Sequence, residues 1–182
     1  VSTLQERIAG ERQRLRQVRQ KLTAAVEQGA AGNADWVPFY LAVSEYMQAA
    51  MQRLHAQDDK MGDMIRERAE GEKAERALAE LHERLQGNRQ RLDKMLAESK
   101  RLASEGAQNL QDFEAAARDF TDFIVANMGH HGATTELAAK LFSTADWEFM
   151  AGITDEDMAR EVALAEKVAA TTPPELKLPA TD

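Results

Sequence analysis

Apolar residues recur along this chain at alternating steps of three and four, the spacing that lays side chains along one face of an α-helix. Between residues 3 and 28 the stripe reads Leu4, Ile8, Glu11, Leu15, Val18, Leu22 and Ala25, and Gly29, Gly32 and Asn33 close it. A second stripe, Tyr40, Val43, Met47, Met51, Leu54, Asp58, Met61 and Ile65, predicts a helix from Asp35 as N-cap, through Pro38 in the first turn, to about Ala69. Gly71 interrupts, and Leu78, Leu81, Leu85, Leu92 and Leu96 predict a third helix from about Glu72 to Leu102. After Gly106 a fourth stripe runs through Leu110, Phe113, Ala117, Phe120, Ile124 and Met128 to His131.

Beyond Gly129 and Gly132, Thr134–Leu137 restarts a helix, Ser143 to Asp146 reads as a short turn, and Thr154 before Asp155, Glu156 and Asp157 caps a last helix ending near Thr171. Short connections favour antiparallel neighbours. The expected fold is therefore all-α: an up-down-up-down bundle of four long helices with a C-terminal helical cap. Residues 1–171 form one domain, and Pro173, Pro174 and Pro179 turn residues 172–182 into a flexible tail. A coiled-coil arm built from the long first and third helices is the architectural alternative.

Composition narrows the chemistry. The 182 residues carry 31 acidic and 23 basic side chains, a formal net charge of −8. Residues 1–35 contribute +2, the middle of the chain balances, and residues 105–182 contribute −10. An acidic C-terminal part without a basic, aromatic-interleaved patch argues against a nucleic-acid partner. With no cysteine, thiolate metal sites, iron–sulfur clusters and cysteine nucleophiles are excluded. No phosphate loop, nucleophile elbow, dinucleotide turn or HExxH helix occurs. No run of eighteen apolar residues offers a membrane span, and the opening Val1–Arg7 lacks an apolar signal core, so a cytoplasmic protein is the expectation.

Polar residues interrupt the stripes at informative places. If helices two and three turn near residue 70, residue i faces about 141 − i, which brings His82 level with Asp59. All four histidines, His55, His82, His130 and His131, then fall in neighbouring layers. His55 stands three residues before Asp58 and four before Asp59, one helical turn apart on a shared face. His131 precedes Glu136 across Gly132, Ala133, Thr134 and Thr135. Imidazole and carboxylate together suit iron, manganese or zinc, and helical bundles commonly carry such centres in their cores. A bland reading stands beside this one, in which Asp58 finds its partner in Arg89, Arg53 or Lys60 and His82 is solvated surface.

His55-x-x-x-Asp59 on one helix and His131-x-x-x-x-Glu136 after a later one resemble the hemerythrin-like family of four-helix bundles. The resemblance covers residues 36–136 and implies a non-haem iron centre, mono- or dinuclear, that binds or senses dioxygen or iron. The resemblance implies His55 with Asp59 and His131 with Glu136 as ligands, and with Asp58 and His82 from the neighbouring layers the candidate set is His55, Asp58 or Asp59, His82, His131 and Glu136. The pattern departs from the family in having Asp for the first glutamate, and in having Leu78 and Gln86 where a second histidine would flank His82. The alternative function is a non-catalytic coiled-coil scaffold or adaptor, with a homodimer or protein partner engaged through amphipathic helices.

Overall fold

The computed structural model describes residues 3–128 and 132–178, and every regular element among them is helical. Helix α1 spans Leu4–Gln28, and Thr3 opens it with a reciprocal cap: its hydroxyl accepts from the Glu6 N–H, and Glu6 Oε2 accepts from the Thr3 N–H at 2.7 Å. The helix stops at Gly29, whose φ of 74° favours a residue without Cβ. A 3-10 turn, Ala34–Trp36, leads into α2, Val37–Arg68. Asn33, not Asp35, caps this turn, accepting from the Asp35 N–H at 3.0 Å. Gly71, at a φ of 99°, reverses the chain into α3, Glu72–Glu105. A second 3-10 turn, Gly106–Asn109, connects to α4, Leu110–Asn127.

The stripes read from the sequence are buried faces. Tyr40, Val43, Met47, Met51, Met61 and Ile65 on α2 are buried, with Leu54 and Asp58 half-buried between them. On α3 the buried face includes Leu81, Leu85 and Leu92, and on α4 Leu110, Phe113, Ala117 and Phe120. The α4 stripe leaves the core at Met128, which is 55% exposed. Two apolar clusters result. The larger gathers Leu22, Trp36, Phe39, Tyr40, Val43 and Met47 with Met95, Leu102, Phe113 and Phe120. The smaller holds Met61, Met64, Ile65, Leu81, Leu85, Ala138 and Phe142. His55 and Asp58 fall between Met51 and Met61, where one cluster gives way to the other.

The last third differs from the sequence expectation. Helix α5, Gly132–Leu141, arises where a restart was expected, but the predicted turn at Ser143–Asp146 is the start of another helix, α6, Thr144–Ala151. Ser143 and Asp146 cap it reciprocally, a signal that four residues of sequence state as well as they state a turn. Arg68, at the end of α2, grips Asp146 with two bonds of 2.7 and 2.8 Å, and Phe142 packs on Trp147. Helix α7, Asp155–Thr171, packs along α2 and α1 as part of the main helical body.

Residues 172–178 are not free either. Pro173 and Leu176 are buried, Glu175 Oε1 accepts from Trp36 Nε1 at 2.7 Å, and Gln28 bonds both the Glu175 carbonyl and the Lys177 N–H. The prolines rule out helix, but Leu176 still has an apolar surface to bury. His130, His131 and Pro179 lie outside the described residues.

Candidate functional site

The antiparallel pairing of α2 and α3 has nearly the register read from the sequence: His55 meets Asn88, and a Cβ on Gly62 would meet Leu81. His55 is buried, and its Nε2 lies 3.1 Å from Asn88 Oδ1. With a carboxamide oxygen as acceptor, Nε2 carries the proton and donates it. Burial pushes the imidazole below its ordinary pKa; Arg89 adds to this, while the Asn88 bond and the charges of Asp59 and Asp93 oppose it.

Asp58 is half-buried one turn further along. Burial pushes its carboxyl upward and Asp59 adds to the rise, while Arg84 and Arg89 draw it down. Asp59 faces outward and accepts from Arg89 Nη2 at 2.5 Å.

The remaining expected ligands do not join this seam among the described residues. His82 follows the buried Leu81 and is exposed on α3, and Glu136 is exposed on α5. No group of three or more His, Asp or Glu side chains gathers as a metal cage among the described residues. The chemistry at the seam also fits a divalent cation poorly. Arg89 and the charge of Arg84 already serve the two carboxylates, and guanidinium groups beside them repel a second cation.

A second polar cluster, which the sequence reading passed over, lies between α1, α2 and α7. Glu161, 5% exposed, accepts from Tyr46 Oη at 2.5 Å through one oxygen and from Arg14 Nε at 2.5 Å through the other. Glu11, 7% exposed, pairs with Arg53. Burial lowers the Arg53 pKa against the pull of Asp157 and Glu161. Burial and the bond to Glu161 hold the Tyr46 hydroxyl well above its usual range, so it stays a donor. Two acids and two guanidiniums form two ion pairs, with Arg53 Nη1 buried and without a hydrogen bond among the described residues. The signal was present: Glu11 occupies a stripe position of α1, and Glu161 sits three residues from both Met158 and Leu164.

Beside this network is an open groove of about 420 Å³ between the N-terminal half of α1, the middle of α2, and α6. Leu4, Ile8, Leu15, Leu54, Trp147 and Met150 line it. Apart from buried Glu11, its charged lining is Arg12 and Glu148. The Arg7–Asp155 pair at 2.5 Å holds the acidic first turn of α7 against α1. Phe149, 64% exposed on α6, stands beside the groove with Lys60 Nζ 5.2 Å from its ring centre.

No helix among the described residues is long and apolar enough to cross a membrane. No family model, curated protein or solved structure matches the chain.

Proposed function

We propose that this protein is a non-catalytic helical interaction module, working through contact of its helices with another polypeptide. The supporting observation is the contrast between its polar and apolar surfaces. His55, Asp59, Tyr46 and Glu161 are each engaged with a neighbouring polar side chain, whereas among the described residues the apolar groove bounded by α1, α2 and α6 is left uncovered. Uncovered apolar surface of this kind marks contact sites on proteins.

A second reading, a hemerythrin-like iron centre on His55, Asp58 and His131, draws on one observation. Asp58 is half-buried on the apolar face of α2, one turn from His55, with its carboxyl pKa raised by burial.

Elemental analysis of protein purified without chelator separates the two. The interaction reading expects iron, manganese and zinc well below one ion per chain, unchanged in a combined His55→Ala and His131→Ala variant. One iron per chain in the wild type, lost in that variant, would overturn it in favour of the metal reading.

A further inference from the structure

We infer that the surface seating residues 172–178 is a recognition site for a proline-led Glu-Leu turn, and that the same segment of a second copy of this chain takes it when the resident tail is released. The site lies at the C-terminal end of α1. It shares none of the residues named for the groove bounded by α1, α2 and α6, so it stands or falls apart from that groove.

The tail is a preformed ligand. Pro173 and Pro174 cannot continue α7, and Pro174 holds the second position of a turn closed by the Leu176 N–H, which donates to the Pro173 carbonyl at 3.1 Å. The turn presents Glu175 and Leu176 to the helical body, and Leu176, 8% exposed, joins the larger apolar cluster. Proline keeps the free segment from wandering far from this shape, so little freedom is lost on seating.

Three residues of the helical body read that ligand. Gln28 reads the backbone: its Nε2 donates to the Glu175 carbonyl at 3.1 Å, and its Oε1 accepts from the Lys177 N–H at 3.0 Å. Glu175 Oε1 accepts from Trp36 Nε1 at 2.7 Å and from Asn33 Nδ2 at 3.2 Å. Both donors are aimed beforehand, since Asn33 Oδ1 is held by the Asp35 N–H and the Trp36 ring packs against Tyr40 with 5.9 Å between ring centres. An emptied socket deprives the indole N–H of a ring only 2% exposed of this acceptor, which favours a replacement carrying the same acid.

Release leaves the helices whole. Helix α7 ends at Thr171, before the prolines begin, and Thr172 Oγ1 donates back to the Val168 carbonyl. Glu175, Lys177 and Leu178 are exposed, so the buried side chains of the segment are those of Pro173 and Leu176. A segment with so few buried contacts opens locally without global unfolding. Each copy carries both socket and tail, and a reciprocal exchange between two copies re-forms every bond and closes with two-fold symmetry.

The test uses full chains carrying Trp147→Phe, so that emission reports Trp36. An acceptor variant with Glu175→Ala and Leu176→Ala keeps the socket and loses the tail's hold on it. Its emission should shift to the red, and the fluorescein-labelled peptide Thr-Pro-Pro-Glu-Leu-Lys-Leu should bind and reverse the shift. The chain with its native tail should bind this peptide about tenfold more weakly, because the resident segment competes at high effective concentration. A peptide with alanine for glutamate should not bind. Glu175→Gln keeps the tail's volume and should bind the peptide with intermediate affinity; it decides the matter if the acceptor loses its helical circular dichroism. No peptide binding to a folded acceptor, or an affinity that the tail substitutions leave unchanged, would overturn the site.

For the second copy, the acceptor is mixed with a donor carrying Gln28→Ala and Asn33→Ala, whose tail is intact and whose socket is damaged. Light scattering should give about twice the mass of one chain for the mixture and a single chain's mass for either variant alone. A mixture that stays at a single chain's mass while the peptide binds would overturn the second copy as occupant.

Discussion

Two polar clusters grow from the same helix and differ in how they are housed. On one side of α2, Tyr46 and Arg53 meet Glu161, Arg14 and Glu11 in a layer closed by α1 and α7, where both carboxylates are almost wholly buried. On the other, His55, Asp58 and Asp59 meet Asn88 and Arg89 on α3, where Arg89 and Asp59 keep 42% and 52% of their side-chain surface. Desolvation makes the first cluster all or nothing: each partner left alone would be a buried charge. Water softens every loss in the second. The histidine-bearing cluster, which attracts attention in the sequence, is thus the energetically lesser one.

The largest effect should come from Glu161→Ala, which strands Arg14 and Tyr46 together. Loss of about 3 kcal/mol is expected, at the lower end for a broken buried pair because Arg14 keeps some contact with water. Chemical denaturation measures it, and a loss below about 1 kcal/mol would erase the contrast with the seam. Tyr46→Phe deletes one bond to a charged acceptor and should cost about 1.5 to 3 kcal/mol in the same assay.

At the seam the effects are smaller and follow pH. Asp58 has a raised pKa, so the fold bears a cost while this carboxylate is ionised. Asp58→Asn should therefore raise the thermal midpoint at pH 7, and the gain should shrink as pH falls through the native pKa toward 3.8. His55 has a lowered pKa, so its neutral form favours the fold. Its contribution is complete above 6.5 and is lost as pH falls from there through the native value. Wild-type protein should lose stability over that window, and His55→Gln should flatten the loss. A midpoint that does not respond to either substitution would mean that neither group is desolvated as described. Asp59→Ala should change stability least, by about 0.5 kcal/mol or less, with the difference fading in high salt.

Helix placement was legible because burial imposes a period on sequence. The stripes of α1 to α4 mark buried faces, and Gly29 closes α1 while Gly71 opens α3, both at positive φ. The seam was legible in depth but not in direction. A register near 141 − i puts His82 in the correct layer, yet a residue directly after Leu81 points about 100° away from the face that Leu81 and Leu85 bury. The same rotation that buries Leu81 exposes His82.

The ionic layer escaped for a different reason. Glu11 and Glu161 belong to stripes, but their partners come from helices far away in sequence, Arg53 on α2 and Arg14 on α1. The Glu161 pairing depends on α7 lying against both α1 and α2, and the Glu11 pairing on α1 lying against α2, which no local pattern states. Helix α6 was missed because eight residues with apolar groups on several sides carry almost no periodicity.

The proposed interaction role requires that His55 and Asp59 at the α2–α3 seam stay with Asn88 and Arg89 rather than turn to a metal. Correlation spectra of the histidine rings in labelled protein, recorded before and after one equivalent of zinc or manganese, test it most directly. For His55 the account expects a neutral ring protonated at Nε2, with both nitrogen shifts unchanged by zinc and no selective broadening by manganese. Displacement of the Nδ1 resonance by zinc, or its disappearance with manganese, would contradict the account and return His55 to the role of a metal ligand.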